Sequence, residues 1–195
     1  MHLDTTHVSK SHLAAGILAA ALFTMAPIAN AAVVSYVATL SGPNESPPNA
    51  SPAIGTAQVD VDAVAHTMRV FVQFSGLTGT TSACHIHCAT ALVGSGTAGV
   101  ATTTPTFAGF PIGVTSGTYD NTLDMTQASS YNPSFVTAHT NIAGAEAFLF
   151  QAIADGKAYL NVHSSTFSGG EIRGFLEAGT GATSTSWGRI RSLYR

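Results

Sequence analysis

Cys84-His85-Ile86-His87-Cys88 is the densest run of metal-ligating side chains in this 195-residue chain. On a β-strand, alternate side chains point the same way, so His85 and His87 project together, roughly 6.5–7 Å apart at Cα, and Ile86 points to the core. Two imidazoles so placed can reach one ion, and neutral imidazole suits Cu, Zn and Ni. An H-x-H pair is common by chance and needs a third ligand. In Ala158-Tyr159-Leu160-Asn161-Val162-His163 the inward set is Ala158, Leu160 and Val162, which leaves Tyr159, Asn161 and His163 on the opposite face. If this strand lies near the H-x-H strand, three imidazoles converge on one patch. The residues by themselves leave two readings open: a metal site, or a hydrogen-bonded polar layer without metal.

The remaining reactive side chains carry less. His66 falls in a short polar connection and is expected to be a solvated loop residue. His139, just before a helical stretch, is expected to cap or lie exposed, with a fourth-ligand role as the alternative. Glu171 and Arg173 lie two apart on one strand face and are expected to form an ion pair at a partly exposed rim. No Gly-x-Ser-x-Gly elbow is present, no glycine-rich phosphate loop opens a helix, and no nucleophile stands with a base.

These residues need strands to position them, and the chain supplies a period of two. Ala57, Val59 and Val61 alternate with Thr56, Gln58, Asp60 and Asp62; after a turn at residues 63–66, Met68, Val70, Val72 and Phe74 alternate with Thr67, Arg69, Phe71 and Gln73. That is an antiparallel hairpin with one wet face. A strand over 33–40 precedes a proline-rich turn, and further strands are expected near 82–87, 117–125, 158–163 and 171–177. Ala145, Phe148, Leu149, Ala152 and Ile153 instead recur three and four apart, which predicts one helix over 141–157, stopped at Gly156. Residues 89–111, rich in Gly, Thr and Ala, read as a long loop with at most one short strand. The expected architecture is all-β: a Greek-key or immunoglobulin-like β-sandwich or barrel with one helix near the C-terminal half.

The ends differ from this domain. Lys10, the apolar run Leu13–Phe23 and the small-residue site Ala29-Asn30-Ala31 have the grammar of a signal peptide over residues 1–31, and the apolar run is shorter than the roughly 20 residues needed to span a bilayer. The protein is therefore expected to be secreted or periplasmic, with no transmembrane segment once the signal is removed. In an oxidising compartment Cys84 and Cys88 become disulfide candidates. Residues four apart on a straight strand are about 13 Å from each other, so a bond requires the chain to turn immediately after His87; free thiols or soft metal ligands are the other readings. Residues 179–195 change to a Gly/Thr/Ser-rich stretch followed by Arg189, Arg191 and Arg195, and are expected to be a disordered basic tail. Charged residues are 9% of the chain, and seven bases against ten acids leave a net −3. With the bases scattered until the tail, nucleic acid is excluded as a partner.

Ala38-Thr39-Leu40-Ser41-Gly42-Pro43-Asn44-Glu45-Ser46-Pro47-Pro48, Phe74-Ser75-Gly76-Leu77-Thr78, His85-Ile86-His87, Tyr159-Leu160-Asn161-Val162-His163 and Gly169-Gly170-Glu171-Ile172-Arg173-Gly174 resemble, in this order, the CHRD (chordin-type) domain as it occurs in exported bacterial proteins. The resemblance covers residues 33–177 and implies a β-sandwich or immunoglobulin-like barrel. It implies little about activity, and chordin's antagonism of growth factors does not transfer, because the cysteine-rich modules that accompany its domains are missing here. A more distant likeness is to copper–zinc superoxide dismutase, whose H-x-H strand, later Val-His strand and last-strand arginine would correspond to His85, His87, His163 and Arg173. That family's zinc-binding loop has no counterpart in residues 89–111, which contain no His, Asp or Glu, so no zinc subsite is expected. The leading expectation is an exported binding or scaffold protein, not an enzyme, whose ligand is a protein, a glycan or a metal, copper through three histidines being the candidate cofactor. A copper-dependent redox protein and a structural envelope or matrix protein are the alternatives.

Overall fold

The computed structural model describes residues 33–179. The expected signal peptide, residues 1–31, and residues 180–195 of the expected tail lie outside the described residues. The strands are β1 (Val34–Ser41), β2 (Ile54–Asp62), β3 (Thr67–Ser75), β4 (Thr81–His87), β5 (Gly117–Asp124), β6 (Tyr159–Ser164), β7 (Ile172–Phe175) and β8 (Glu177–Ala178). They form one antiparallel sheet in the order β4-β6-β7-β1-β2-β3-β5, with β8 also on β1, curled into a half-barrel. The all-β architecture follows from the alternation: Tyr36, Ala38 and Leu40 on β1, Val59 and Val61 on β2, and Met68, Val70, Val72 and Phe74 on β3 are all buried on the concave side.

The β2–β3 hairpin turns where the Asp62 carboxylate accepts the backbone N–H groups of Val64 and Ala65 at 3.0 and 2.9 Å, an Asx turn that closes on His66 at φ 55. The chain then crosses the molecule, because β4 pairs with β6 instead of β3. An outermost strand leaves half its backbone groups unpaired. Here the segment after β4 covers that edge. Ala101 and Phe107 donate N–H groups to the carbonyls of Ile86 and Cys84 at 2.9 and 3.3 Å, and the hydroxyls of Thr102 and Thr106 accept from the N–H groups of Ile86 and Cys84 at 2.9 and 3.0 Å. The threonine-rich loop does the work of a neighbouring strand without being one.

The main helix, α2 (Ile142–Ala154), is preceded by a short one, α1 (Pro133–Ala138). Asn141 caps α2 by accepting the Gly144 N–H at 2.8 Å, and Gly156, at φ 67, ends it. Ala145, Leu149, Ala152 and Ile153 are buried as expected, but Phe148 is 40% exposed and Phe150 is buried instead. The reason is local. Phe148 stacks on His139 at 4.0 Å between centroids and meets Phe135 edge-on at 6.0 Å, so α1 draws it off the core.

Candidate metal centre

The site lies on the outer, convex face of β4, β6 and β7. Cys84 and Ile86 point into the core with Leu160, Val162 and Ile172, all fully buried. That register forces His85 and His87 outward, together with Tyr159, Asn161 and His163 of β6 and Arg173 of β7. Across the sheet Ala83 pairs with His163, His85 with Asn161 and His87 with Tyr159, and Asn161 pairs with Arg173. The structure therefore brings together all three histidines singled out from sequence. One donor nitrogen from each lies within 4.8 Å of the others, and among the described residues no further His, Cys, Asp or Glu joins them.

Each ring has one nitrogen already engaged. His85 Nε2 donates to the Pro105 carbonyl at 2.6 Å, His87 Nδ1 to Ala98 at 3.0 Å and His163 Nδ1 to Ser168 at 2.9 Å. Carbonyl oxygens only accept, so those three nitrogens carry the hydrogens and fix the tautomers. In neutral imidazole the other nitrogen is then a bare lone pair. His85 Nδ1 and His163 Nε2 stand 3.4 Å apart, and His87 Nε2 is buried without any hydrogen-bond partner. Lone pairs so close repel unless a proton or a metal ion lies between them. Burial disfavours the proton: it drives His87 down to about 4 against the Ala98 bond that raises it, with His85, His163 and Arg173 adding to the lowering. His85 and His163 are also lowered, chiefly by burial. Two nitrogens each about 2.0 Å from one ion, at about 110–120°, would be about 3.3–3.5 Å apart. The His85–His163 pair already has that separation. The donor set thus fits a metal ion, and the carbonyl bonds supply the outer layer that orients ligating histidines.

Beside the histidines on the same face lies a buried polar cluster whose pairing with Glu45 sequence reasoning missed. Arg173 donates from Nε to the Asn44 carbonyl at 2.5 Å and from Nη1 to Gly96 at 3.1 Å; Glu45 sits 3.8 Å from its Nε and accepts from Asn161 Nδ2 at 3.0 and 3.1 Å. Desolvation raises Glu45 to about 7, although Arg173 and the bonds from Asn161 and Ser46 pull it down. The expected Glu171–Arg173 rim pair does not form. Both side chains are buried, 0% and 4% exposed. Glu171 precedes β7 and turns to the other side, where it accepts from Ser51 Oγ at 2.7 Å and from the N–H and Oγ1 of Thr78 at 2.6 and 2.9 Å. Burial alone would raise it, but hydrogen bonds from Ser164, Ser51 and Thr78 win and hold it below the usual carboxylate range. The cues to Glu45 were its place in a proline-rich turn and in a CHRD-like motif, and neither says where the turn folds.

One further expectation is corrected and two hold. Cys84 and Cys88 are free, buried thiols and no disulfide joins them: β4 remains extended through His87, and burial pushes Cys84 up and Cys88 to about 12. His66 is an exposed residue of the β2–β3 turn, as expected, and in addition its Nδ1 lies 2.9 Å from Oε1 of Glu146, a buried carboxyl on α2. His139 caps, as expected, though at the C-terminus of α1, where its N–H donates to the Phe135 carbonyl; its ring packs against Phe135 and Phe148 and does not join the ligand set.

The CHRD domain family model matches residues 36–176, most of the chain. This protein belongs to the CHRD domain family. No curated protein and no solved structure matches it. In this CHRD domain the proline-rich turn supplies Glu45, and the His-Ile-His and Asn-Val-His strands supply the three imidazoles. CHRD membership supports a binding or scaffold role. Among the described residues no helix is long and apolar enough to cross a membrane.

Proposed function

We propose that this CHRD domain is an exported metal-binding protein that holds one copper ion through His85 Nδ1, His87 Nε2 and His163 Nε2. One observation carries the reading: three ring nitrogens face each other while the opposite nitrogen of every ring is bound to a backbone carbonyl. Copper is favoured because the donors are neutral imidazoles and because it heads the affinity order for such donors. The role is binding and handling of the ion; among the described residues no second cluster of metal-ligating side chains is present. Export rests on the signal-peptide grammar of residues 1–31.

The test is metal analysis of the processed protein after chelator stripping and reloading with Cu. About one copper per chain is expected in wild type, with His85→Ala and His163→Ala losing it. Equal copper content in all three eliminates the site. Recovery of the protein from the cell interior with residues 1–31 attached eliminates export.

A further inference from the structure

We infer that Tyr159 is the positioning residue of the metal centre, holding His87 in its ligating pose. The inference rests on the metal reading above and adds how one ligand is fixed. Tyr159 is buried, 3% exposed, yet it lies on the outer face of β6 and apart from the hydrophobic core. Its ring has a different task. It stacks on the His87 imidazole at 4.7 Å between centroids and 6° between planes, which fixes the plane of the ligand ring. Its hydroxyl lies 3.3 Å from both the N–H and the carbonyl oxygen of Ala98. That carbonyl is the one His87 Nδ1–H donates to. One side chain therefore sets both the plane of the imidazole and the acceptor that chooses its tautomer, and together these aim Nε2 at the other two ligands.

Arg173 locks the arrangement. Its guanidinium carbon lies 4.7 Å over the Tyr159 ring, and its Nη1–H holds Gly96, two residues before Ala98. The loop carrying the acceptor is thus pinned at Gly96 by Arg173 and at Ala98 by Tyr159. The other two ligands have no such stack: His85 and His163 meet each other edge to face at 74°. Without Tyr159, a half-turn of the His87 ring about its Cβ–Cγ bond would exchange Nδ1 with Cδ2 and Nε2 with Cε1 and point a C–H at the ion, and the other tautomer would point an N–H there. Partners of this kind alter metal affinity by roughly 10–100-fold when removed.

Two variants separate the parts: Tyr159→Phe keeps the stack and removes the hydroxyl, and Tyr159→Leu removes both. Two readouts are used. In metal-free protein, ¹⁵N-edited NMR of the His87 ring should show a single Nδ1–H tautomer in wild type and a mixture in Tyr159→Leu, with Tyr159→Phe between them. In competition titrations with Cu, Tyr159→Leu should bind about 10–100-fold more weakly than wild type and Tyr159→Phe less weakened, with an altered Cu(II) EPR spectrum in both. Unchanged tautomer in both variants overturns the positioning role. So does unchanged affinity with an unchanged EPR spectrum while His87→Ala loses copper, an outcome that leaves the metal reading standing. Wild type that binds no copper ends the metal reading, and the tautomer measurement still decides whether Tyr159 holds His87. If Tyr159→Leu fails to fold, Tyr159→Phe carries both measurements.

Discussion

His85 Nδ1 lies 3.4 Å from His163 Nε2 although 78 residues separate them along the chain. The contact exists because β4 and β6 are neighbours in the sheet, and because Pro105 and Ser168 have taken the other nitrogen of each ring. Two acceptors held face to face in a buried setting are unfavourable without an ion, so the metal-free protein carries a built-in electrostatic cost at this point.

The first expected outcome concerns pH. His87 sits at about 4 in the folded protein against about 6.5 for a free imidazole. A depressed pKa means that the unfolded chain binds the proton first, so the contribution to stability is complete above about pH 6.5 and lost as pH falls toward about 4, with at most about 3 kcal/mol involved. Glu45 works in the opposite sense. Raised to about 7 from 4.5, it favours the folded state below its unfolded value, and this is lost as pH rises through about 7. Between pH 4.5 and 6.5 the two slopes oppose each other in wild type. Metal-free Glu45→Gln should lose stability more steeply on acidification over that range, measured by denaturant unfolding at a series of pH values. Parallel curves for the two proteins would show that Glu45 is not a raised carboxyl.

Glu171 supports the base of the sheet and not the metal. Fully buried, it accepts from Ser51 and twice from Thr78. Glu171→Ala leaves these donors without an acceptor and should cost about 3–5 kcal/mol, Glu171→Gln clearly less. Urea unfolding checks both. A loss below about 1 kcal/mol for the alanine variant would mean that the donors find water instead.

The His66–Glu146 contact ties the β2–β3 turn to α2. Since Glu146 is 3% exposed, His66→Ala strands a buried carboxyl and should destabilise by about 1–3 kcal/mol. A double-mutant cycle with Glu146→Gln should show coupling. Additive effects would show that the contact contributes nothing to stability.

Gly170 adopts φ 132, and a Cβ there would come within 2.5 Å of Asn161 Nδ2 and 2.7 Å of Glu45 Oε1. Gly170→Ala should therefore destabilise by about 2 kcal/mol or more and disturb the polar cluster beside the histidines. Wild-type thermal stability in the variant would contradict the packing described for this cluster.

Much of the site was legible in the chain. The period of two along residues 84–88 and 158–163 assigns each side chain to a face: once Ile86, Leu160 and Val162 must be buried, His85, His87 and His163 have to share the other side. The same rule placed the inward sets of β2 and β3, and Gly156 marks the end of α2. It failed for Phe148, whose helical spacing is sound but whose partner, α1, carries no comparable signal.

What the sequence alone determined, then, is orientation within each strand, because side-chain alternation is a local consequence of the pleated backbone. Only the tertiary structure decided which strands adjoin and what each buried charge meets. Sheet order depends on where long connections cross, and partners such as Arg173 with Glu45, Glu171 with Ser51 and Thr78, or His87 with Ala98 and Tyr159, join segments whose separation along the chain carries no record of their distance in space.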